Sequence, residues 1–296
     1  MHAYLILAHN QPRLLQVLVD MIDDERNDIY IHVDAKADMR QFASLHAEKS
    51  KITFTKRIKV YWGHYSIVKA ELILFEKAFR QGPYLYYHLL SGSDLPLKNQ
   101  DYIHHLLDHV YRGHEFLGYD LVQCINLRVR YYYLFDKYFN GKSSVVKMSN
   151  VIRNKFIVLQ KKIKMWRNEN VAFYKGSQWM SITNDLCRFI LANRKKIRRY
   201  FIMTFAPDES FVQTLVYDSF FYEKVHNKED EFKSSMRLID WERRPNINNP
   251  YTWKCEDWDE MVSSDRLFAR KFSEDDMDFI YQLKDHVLNS KHYNEG

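Results

Sequence analysis

The sequence predicts an α/β fold in which a mixed sheet is flanked by helices. Short continuous apolar runs, typical of buried parallel strands, alternate with segments whose apolar residues recur at helical spacing. The first unit is a strand at 4–8, a helix at 13–22 and a strand at 29–33, which together form a βαβ unit. With 296 residues, 46% of them apolar, the chain can bury one large core.

The remaining elements continue this alternation. We expect strands at 52–54, 60–61, 84–90 and 237–241, a loop and strand at 176–183, and helices at 66–79, 99–107, 184–199, from Pro207 and at 276–288. Residues suited to capping stand at three helix starts: Ser66, Asn99 or Asp101, and Asn184 or Asp185. Residues 112–175 show the weakest pattern, although 116–125 reads as extended.

Composition and charge narrow the function class. The net charge of +6 suits a phosphate-bearing ligand or an anionic membrane surface and is too small to indicate nucleic-acid binding. Aromatic residues make up 16%, which fits an α/β core and also a cleft in which rings stack on sugars. The three cysteines are too far apart for a disulfide framework or a zinc site. No signal peptide precedes the first strand and no run reaches the ~18 apolar residues of a membrane span, so we expect a cytoplasmic protein.

Residues 142–167 form a strongly basic stretch with apolar residues at helical spacing. A pair of surface helices with solvated lysines is the simpler interpretation. The alternative is a basic amphipathic segment that rests on an anionic membrane.

Polar residues follow several of the predicted strands, which is where open parallel sheets bind ligands. His9 follows the first strand and Asp34 the second. The polar loop at 91–98 follows the strand at 84–90. Since the carboxyl ends of parallel strands meet at one edge, we expect these residues to lie near one another.

The stretch that begins at Pro207 offers a candidate base. Pro207 suits the first turn of a helix, and Asp208 and Glu209 follow it there. An acidic first turn is expected of any well-formed helix. A carboxylate at the mouth of a cleft can also take a proton from a hydroxyl, which is the functional interpretation.

Two Asp-x-Asp pairs, Asp257–Asp259 and Asp276–Asp278, are the possible metal ligands. Both fall at predicted helix starts, where acidic residues are ordinary, so we expect no metal. HExxH, GxSxG, GxxxxGK[ST] and GxGxxG motifs are absent from the sequence, which argues against zinc peptidases, α/β-hydrolases, P-loop ATPases and dinucleotide oxidoreductases. Arg270 and Lys271 are either a solvated helix end or a cationic clamp on a diphosphate.

Seven motifs occur in order: AYLILAH at 3–9, IHVDAK at 31–36, WGHYS at 62–66, LLSGSDLPLK at 89–98, GSQW at 176–179, PDESF at 207–211 and FARKF at 268–272. They resemble those of the core-2/I-branching β-1,6-N-acetylglucosaminyltransferase and peptide O-xylosyltransferase family, glycosyltransferase family 14. The resemblance implies a single GT-A-like domain with a Rossmann-like mixed sheet. Its nucleotide-binding half would span about 1–110 and its acceptor and catalytic half about 111–296, with a basic helical insertion at about 140–170.

The resemblance also implies inverting transfer from a UDP-sugar, with no metal and no other cofactor. Glu209 matches the catalytic base, Lys271 the lysine that neutralises the diphosphate, and Asp34 the residue that reads uracil. The implied donor-binding residues are His9, Asp34, Trp62, Ser91, Asp94, Arg270 and Lys271. The implied acceptor-side residues are Lys98, Gln178, Trp179, Asp208, Trp241 and Arg243. The family uses a further arginine on the diphosphate, and the corresponding stretch of this chain, 248–251, contains none. Arg243, Arg244 or Arg270 would substitute for it.

The donor sugar and the acceptor stay open. We expect N-acetylglucosamine in β linkage, with UDP-xylose, UDP-glucose and UDP-galactose as alternative donors. The absence of an anchor favours a bacterial enzyme of surface-polysaccharide synthesis, acting on a glycan or lipid-linked glycan at the inner face of the cell membrane. Other interpretations are a non-catalytic sugar-nucleotide or glycan-binding domain, a metal-dependent transferase using Asp257 and Asp259, and a nucleic-acid binder, which the modest charge disfavours.

Overall fold

Two sheets organise residues 1–120, 126–245 and 249–290, which the computed structural model describes. In chain order the strands are β1 His2–Ala8, β2 Asn27–Val33, β3 Lys51–Phe54, β4 Tyr86–Ser91, β5 Asp94–Pro96, β6 Met180–Thr183, β7 Arg237–Ile239 and β8 Phe268–Arg270. The larger sheet has the order β3-β2-β1-β4-β6 and the smaller one β5-β8-β7. Parallel pairing of β1 with β2 and β4, and antiparallel pairing of β6 with β4, confirm the predicted mixed sheet.

Helices cover both faces of the larger sheet. They are α1 Pro12–Ile22, α2 Ser66–Phe79, α3 Gln100–His105, α4 Asn126–Val129, α5 Ser144–Lys162, α6 Asn184–Ala192, α7 Arg194–Phe201, α8 Phe211–Tyr217, α9 Glu231–Ser235, α10 Trp258–Val262 and α11 Met277–Asn289. Successive side chains of a strand point to opposite faces. Tyr4 and Ile6 of β1 therefore join a core with α1 and α11, and Ala3 and Leu5 join a second core with α2 and α6.

Several predicted elements differ from those observed. Residues 60–61 form no strand, because the backbone N–H of Tyr61 is bound by the hydroxyl of Ser66 at 2.8 Å. Ser66 is thus used to hold this turn and does not cap α2. Thr183, not Asn184 or Asp185, caps α6. Asn99 caps α3, as one of the two alternatives predicted.

The basic stretches also differ. The predicted helix at 184–199 is two helices, which meet at Asn193. Residues 268–270 form a strand, so the helix-end interpretation of Arg270 and Lys271 is wrong. The segment at 142–167 contains one long helix, α5, instead of a pair. Part of the extended run predicted at 116–125, together with Asn248, lies outside the described residues.

Within the described residues, no helix combines the length and the apolar content that crossing a bilayer requires.

Candidate active site

The carboxyl ends of β1, β2 and β4 lie side by side at one edge of the larger sheet. The backbone N–H of Asp34 donates to the carbonyl of Ala8 at 2.8 Å, and that of Gly92 donates to Leu7 at 2.9 Å. These bonds hold the loops after β2 and β4 against the end of β1. His9, which is exposed, follows the same strand, so the predicted grouping of strand-end residues is observed.

Asp34 is fixed by its own loop. Its Oδ1 accepts hydrogen bonds from the backbone N–H groups of Lys36 at 2.9 Å and Val60 at 3.3 Å. Its Oδ2 lies 3.4 Å from the Lys36 amine. The carboxylate is buried but keeps acceptor capacity at the edge of the sheet, which is what a hydrogen bond from a ligand requires.

A second cluster joins the loop after β4 to β8. The buried Asp94 accepts from the backbone N–H of Ser91 at 2.9 Å and from the Arg270 guanidinium at 2.6 Å. That guanidinium also contacts the Ser91 hydroxyl and lies 4.4 Å from the centroid of the Trp179 ring. Asp94 and Ser91 are therefore occupied in orienting Arg270, which is the group of this cluster that can meet an anion.

Lys271 is the neighbouring cation. Burial lowers the pKa of its amine, and the charge of Arg270 lowers it further. In residues 1–120, 126–245 and 249–290, no carboxylate lies within ion-pair distance of this amine. A half-buried cation without a carboxylate partner is well suited to binding an anionic ligand.

Glu209 lies in a short turn, Pro207–Glu209, entered through Ala206 in the left-handed region at φ 48°. Its side chain is 34% exposed, and its Oε2 accepts a 2.6 Å hydrogen bond from Arg128. The carboxylate is thus held at the surface and not buried beneath it. Sequence reasoning missed Arg128, which lies in the four-residue helix α4 and in none of the seven motifs.

Two glycines bring other motif segments close to this turn. Gly63 has φ +70°, accepts from the backbone N–H of Ala206 at 2.9 Å, and would place a Cβ 2.9 Å from the ring of Phe205. A Cβ on Gly176 would lie 1.9 Å from the carbonyl oxygen of Gly118. Because the N–H of Gly176 donates to the Glu209 carbonyl at 2.9 Å, both glycine segments support the turn.

Two buried carboxyl groups lie beneath Glu209. Burial raises the pKa of Asp208 to about 7, and the charge of Glu209 adds to this. Burial also raises the pKa of Glu71 well above its usual value, with Asp208 adding to it. Gln178 donates to Glu71 at 2.7 Å. The next residue, Trp179, packs under the Arg270 guanidinium. The dipeptide Gln178–Trp179 therefore connects the buried carboxyl groups of Glu71 and Asp208 to the cluster that contains Arg270.

The remaining predicted residues have other partners. Arg243 forms ion pairs with Asp240, Asp257 and Glu260, so it is not available as a clamp, and Asp257 is not a free metal ligand. The Trp241 ring is 36% exposed and faces the Arg244 guanidinium.

Lys98 is buried, with its amine 6.0 Å from the centroid of the Tyr102 ring, and burial lowers its pKa. The exposed Trp62 packs edge-on against Phe205, next to the turn of Glu209.

His2, His104 and Asp108 form a compact group of potential metal ligands at the other edge of the sheet. The rings of His2 and His104 stack at 4.0 Å between centroids and 24° between planes. Lone pairs of imidazole nitrogen lie in the ring plane, so those of two stacked rings run side by side and do not converge on one ion. We interpret this group as a hydrogen-bonded network.

The ends of β1, β2 and β4 carry the fixed carboxylate of Asp34, and the oriented Arg270 is bound to the loop after β4, which is an arrangement typical of a nucleotide-dependent enzyme. Residues 2–264 match the model of the family described as Core-2/I-Branching enzyme. The chain belongs to this family, whose members are glycosyltransferases.

Individual relatives are distant. The Xylosyltransferase sqv-6 of Caenorhabditis briggsae is 23% identical over an alignment of 275 positions, which covers 82% of this chain and 31% of that protein. The chain thus spans about a third of the length of this curated relative. The solved structure of mouse Xyloside xylosyltransferase 1 in its apo form is similar over 73% of this chain and 81% of that chain, with 10% identity and a TM-score of 0.31.

Proposed function

We propose that this chain is an inverting, metal-independent glycosyltransferase that moves a sugar from a UDP-sugar to a hydroxyl group of a glycan acceptor. The observation that supports this most is the pairing of two arrangements in one molecule. Glu209 is held at the surface by Arg128, and the oriented Arg270 stands beside Lys271, a cation that has no carboxylate partner among the described residues.

In the proposed reaction, Glu209 accepts the proton of the acceptor hydroxyl as that oxygen attacks the anomeric carbon. The bond from the anomeric carbon to the phosphate oxygen breaks, and UDP leaves with the bonding electrons. Lys271 and Arg270 stabilise the negative charge that develops on the diphosphate, and Asp34 accepts a hydrogen bond from the uracil. A general base contributes about 10²–10⁴-fold to such a step.

The donor and acceptor assignments are part of the proposal. N-acetylglucosamine is the first candidate, and the name of the nematode relative makes xylose the second. We also propose that the acceptor is a lipid-linked glycan of a bacterial surface polysaccharide, glycosylated at the inner face of the cell membrane.

The test is a thermal-shift screen of UDP-sugars with and without EDTA, followed by transfer assays with the donor that binds. We expect one UDP-sugar to raise the midpoint of unfolding equally in both conditions. Dependence of binding or transfer on a divalent cation would favour the metal-dependent alternative. Binding without either hydrolysis or transfer would identify a non-catalytic sugar-nucleotide domain.

A further inference from the structure

The helix α5 is amphipathic in the reverse of the usual sense. Its buried residues are Val146, Ser149, Arg153 and Gln160, of which only the first is apolar, and the apolar Phe156 and Ile157 beside them are half-buried. Gln160 is fully buried and exchanges hydrogen bonds with the backbone of Tyr132. Polar residues thus fix the inner face, and the outer face must be explained separately.

The outer face of α5 is apolar and exposed. At 100° per residue its exposed apolar side chains fall within an arc of roughly 140°. They are Val145, Met148, Val151, Ile152, Val158 and Leu159, with exposures of 40% to 63%. Ile163 and Trp166, just beyond the helix, extend this surface at 57% and 52% exposure. An apolar surface of this extent on a helix is a mark of an interaction site.

The charges around this face have one sign. Residues 137–168 contain no Asp or Glu and nine basic residues, namely Lys137, Lys142, Lys147, Arg153, Lys155, Lys161, Lys162, Lys164 and Arg167. Lys155 and Lys162 lie within the apolar arc and are exposed. Lysine stems can cover apolar surface while their amines reach a charged layer, as at a membrane interface.

Helix α5 is joined to the candidate active site through its inner face. The guanidinium of Arg153 lies 4.3 Å from the centroid of the Phe139 ring, and that ring is 4.7 Å from the ring of Phe205. Phe205 contacts Trp62, which lines a cavity of about 310 Å³. The other lining residues are Lys36, Tyr61, Lys137, Asn140 and Gly141, so the segment that leads into α5 forms one wall of the cavity.

We propose that the outer face of α5, with Ile163 and Trp166, docks in the headgroup region of an anionic lipid bilayer. The apolar stripe packs at the boundary between the headgroups and the acyl chains, and the lysines pair with anionic headgroups. The segment has no acidic residue that would repel those headgroups. Docking sets the cavity near the membrane surface, where a lipid-anchored acceptor would lie. The choice of acceptor rests on the proposed function, whereas docking itself does not.

The experiment measures binding of the full chain to vesicles of phosphatidylcholine with and without phosphatidylglycerol. Two variants separate the contributions: V151Q/V158Q removes apolar contact without changing charge, and K155Q/K162Q removes charge. The matched controls are F220Q, at another strongly exposed apolar side chain, and K49Q/K51Q, at two exposed lysines near the edge strand β3. Thermal unfolding of every variant verifies that it is folded.

We expect binding only to the phosphatidylglycerol vesicles, weakened by salt, and lowered roughly tenfold or more in each α5 variant but not in the controls. No binding to anionic vesicles would overturn the proposal, as would equal losses in K49Q/K51Q. A concentration-dependent dimer that V151Q/V158Q dissociates would assign the face to self-association instead. Transfer to a soluble acceptor, measured on the same samples, tests the proposed function independently of docking.

Discussion

The parallel strands of the larger sheet all begin on one side, here called the amino edge, and all end on the other, the carboxyl edge. Both edges carry buried or half-buried polar groups, but these groups are paired very differently. At the amino edge, His2 bonds to Asp108 at 2.8 Å and to His88 at 3.0 Å, and His104 bonds to Asp108 at 3.3 Å and to Asn27 at 2.9 Å. At the carboxyl edge, the exposed His9 and the amine of Lys271 have no such closed set of partners among the described residues.

The difference teaches how to separate polar groups that stabilise a fold from those that bind ligands. Buried polar groups cost free energy unless they are hydrogen-bonded, so a closed network is consistent with a structural role. A fixed but incompletely paired charge is destabilising on its own and gains its partner from a ligand. By this criterion the amino edge contributes to stability and the carboxyl edge to binding and chemistry.

The strongest test at the carboxyl edge is Glu209→Gln. The amide keeps the shape of the side chain but cannot act as a base, so we expect kcat to fall about 10²–10⁴-fold while UDP-sugar binding persists. Stability should change by less than about 1 kcal/mol, because the pair with Arg128 is partly exposed. Steady-state kinetics, donor titration and urea unfolding measure the three quantities.

Glu256→Gln, at an exposed position, is the matched control and should leave transfer unchanged. Near wild-type transfer by the Glu209 variant would show that another group is the base.

The corresponding change at the amino edge is Asp108→Asn, with the opposite expected pattern. Burial alone would raise the pKa of Asp108, but hydrogen bonds from His104 and His2 lower it well below its usual range. Asp108 accepts hydrogen bonds from two buried histidines, so removing its carboxylate should lower the free energy of unfolding by about 2–4 kcal/mol. Urea unfolding measures this loss, and kcat per folded molecule should stay at the wild-type value. A large fall in kcat with unchanged stability would remove the distinction between the edges.

The sequence was informative where local pattern decides the structure. The apolar runs predicted β1 and β2 to within two residues, and strand ends alone brought His9 and Asp34 together. The sequence predicts a polar loop at 91–98, where strand β5 lies, because its three residues become a strand only by pairing with β8, far along the chain. Such pairing leaves no local signal.

Several buried or paired residues could not be predicted from the sequence, for similar physical reasons. Glu71 is a charged residue on a helix that otherwise reads as ordinary, and its hydrogen-bond donor, Gln178, comes from a distant segment. Arg128 lies next to Glu209 through tertiary contacts alone. His88 did leave a signal, because it interrupts the apolar run at 84–90 and therefore had to find a buried partner. The reversed polarity of α5 required knowing which side packs on the protein.

The smallest expected effect concerns the pH dependence of the amino edge. Burial lowers the pKa of His2 to about 4 and outweighs the hydrogen bond that His2 makes to Asp108. The unfolded chain takes up this proton below pH ~6.5, whereas the folded protein does so only near pH 4, so folding loses stability as the pH falls between these values. For His2 alone the loss at pH 5 is about 2 kcal/mol.

His2→Gln keeps an N–H that can reach Asp108 and removes the titration. The buried carboxyl groups Asp208 and Glu71, whose raised pKa values act in the opposite direction, are common to both proteins and cancel in the difference. Urea unfolding at pH 7 and pH 5 should therefore show the wild type losing about 2 kcal/mol relative to the variant. Equal losses in the two proteins would mean that His2 already carries its proton in the fold and forms an ion pair with Asp108.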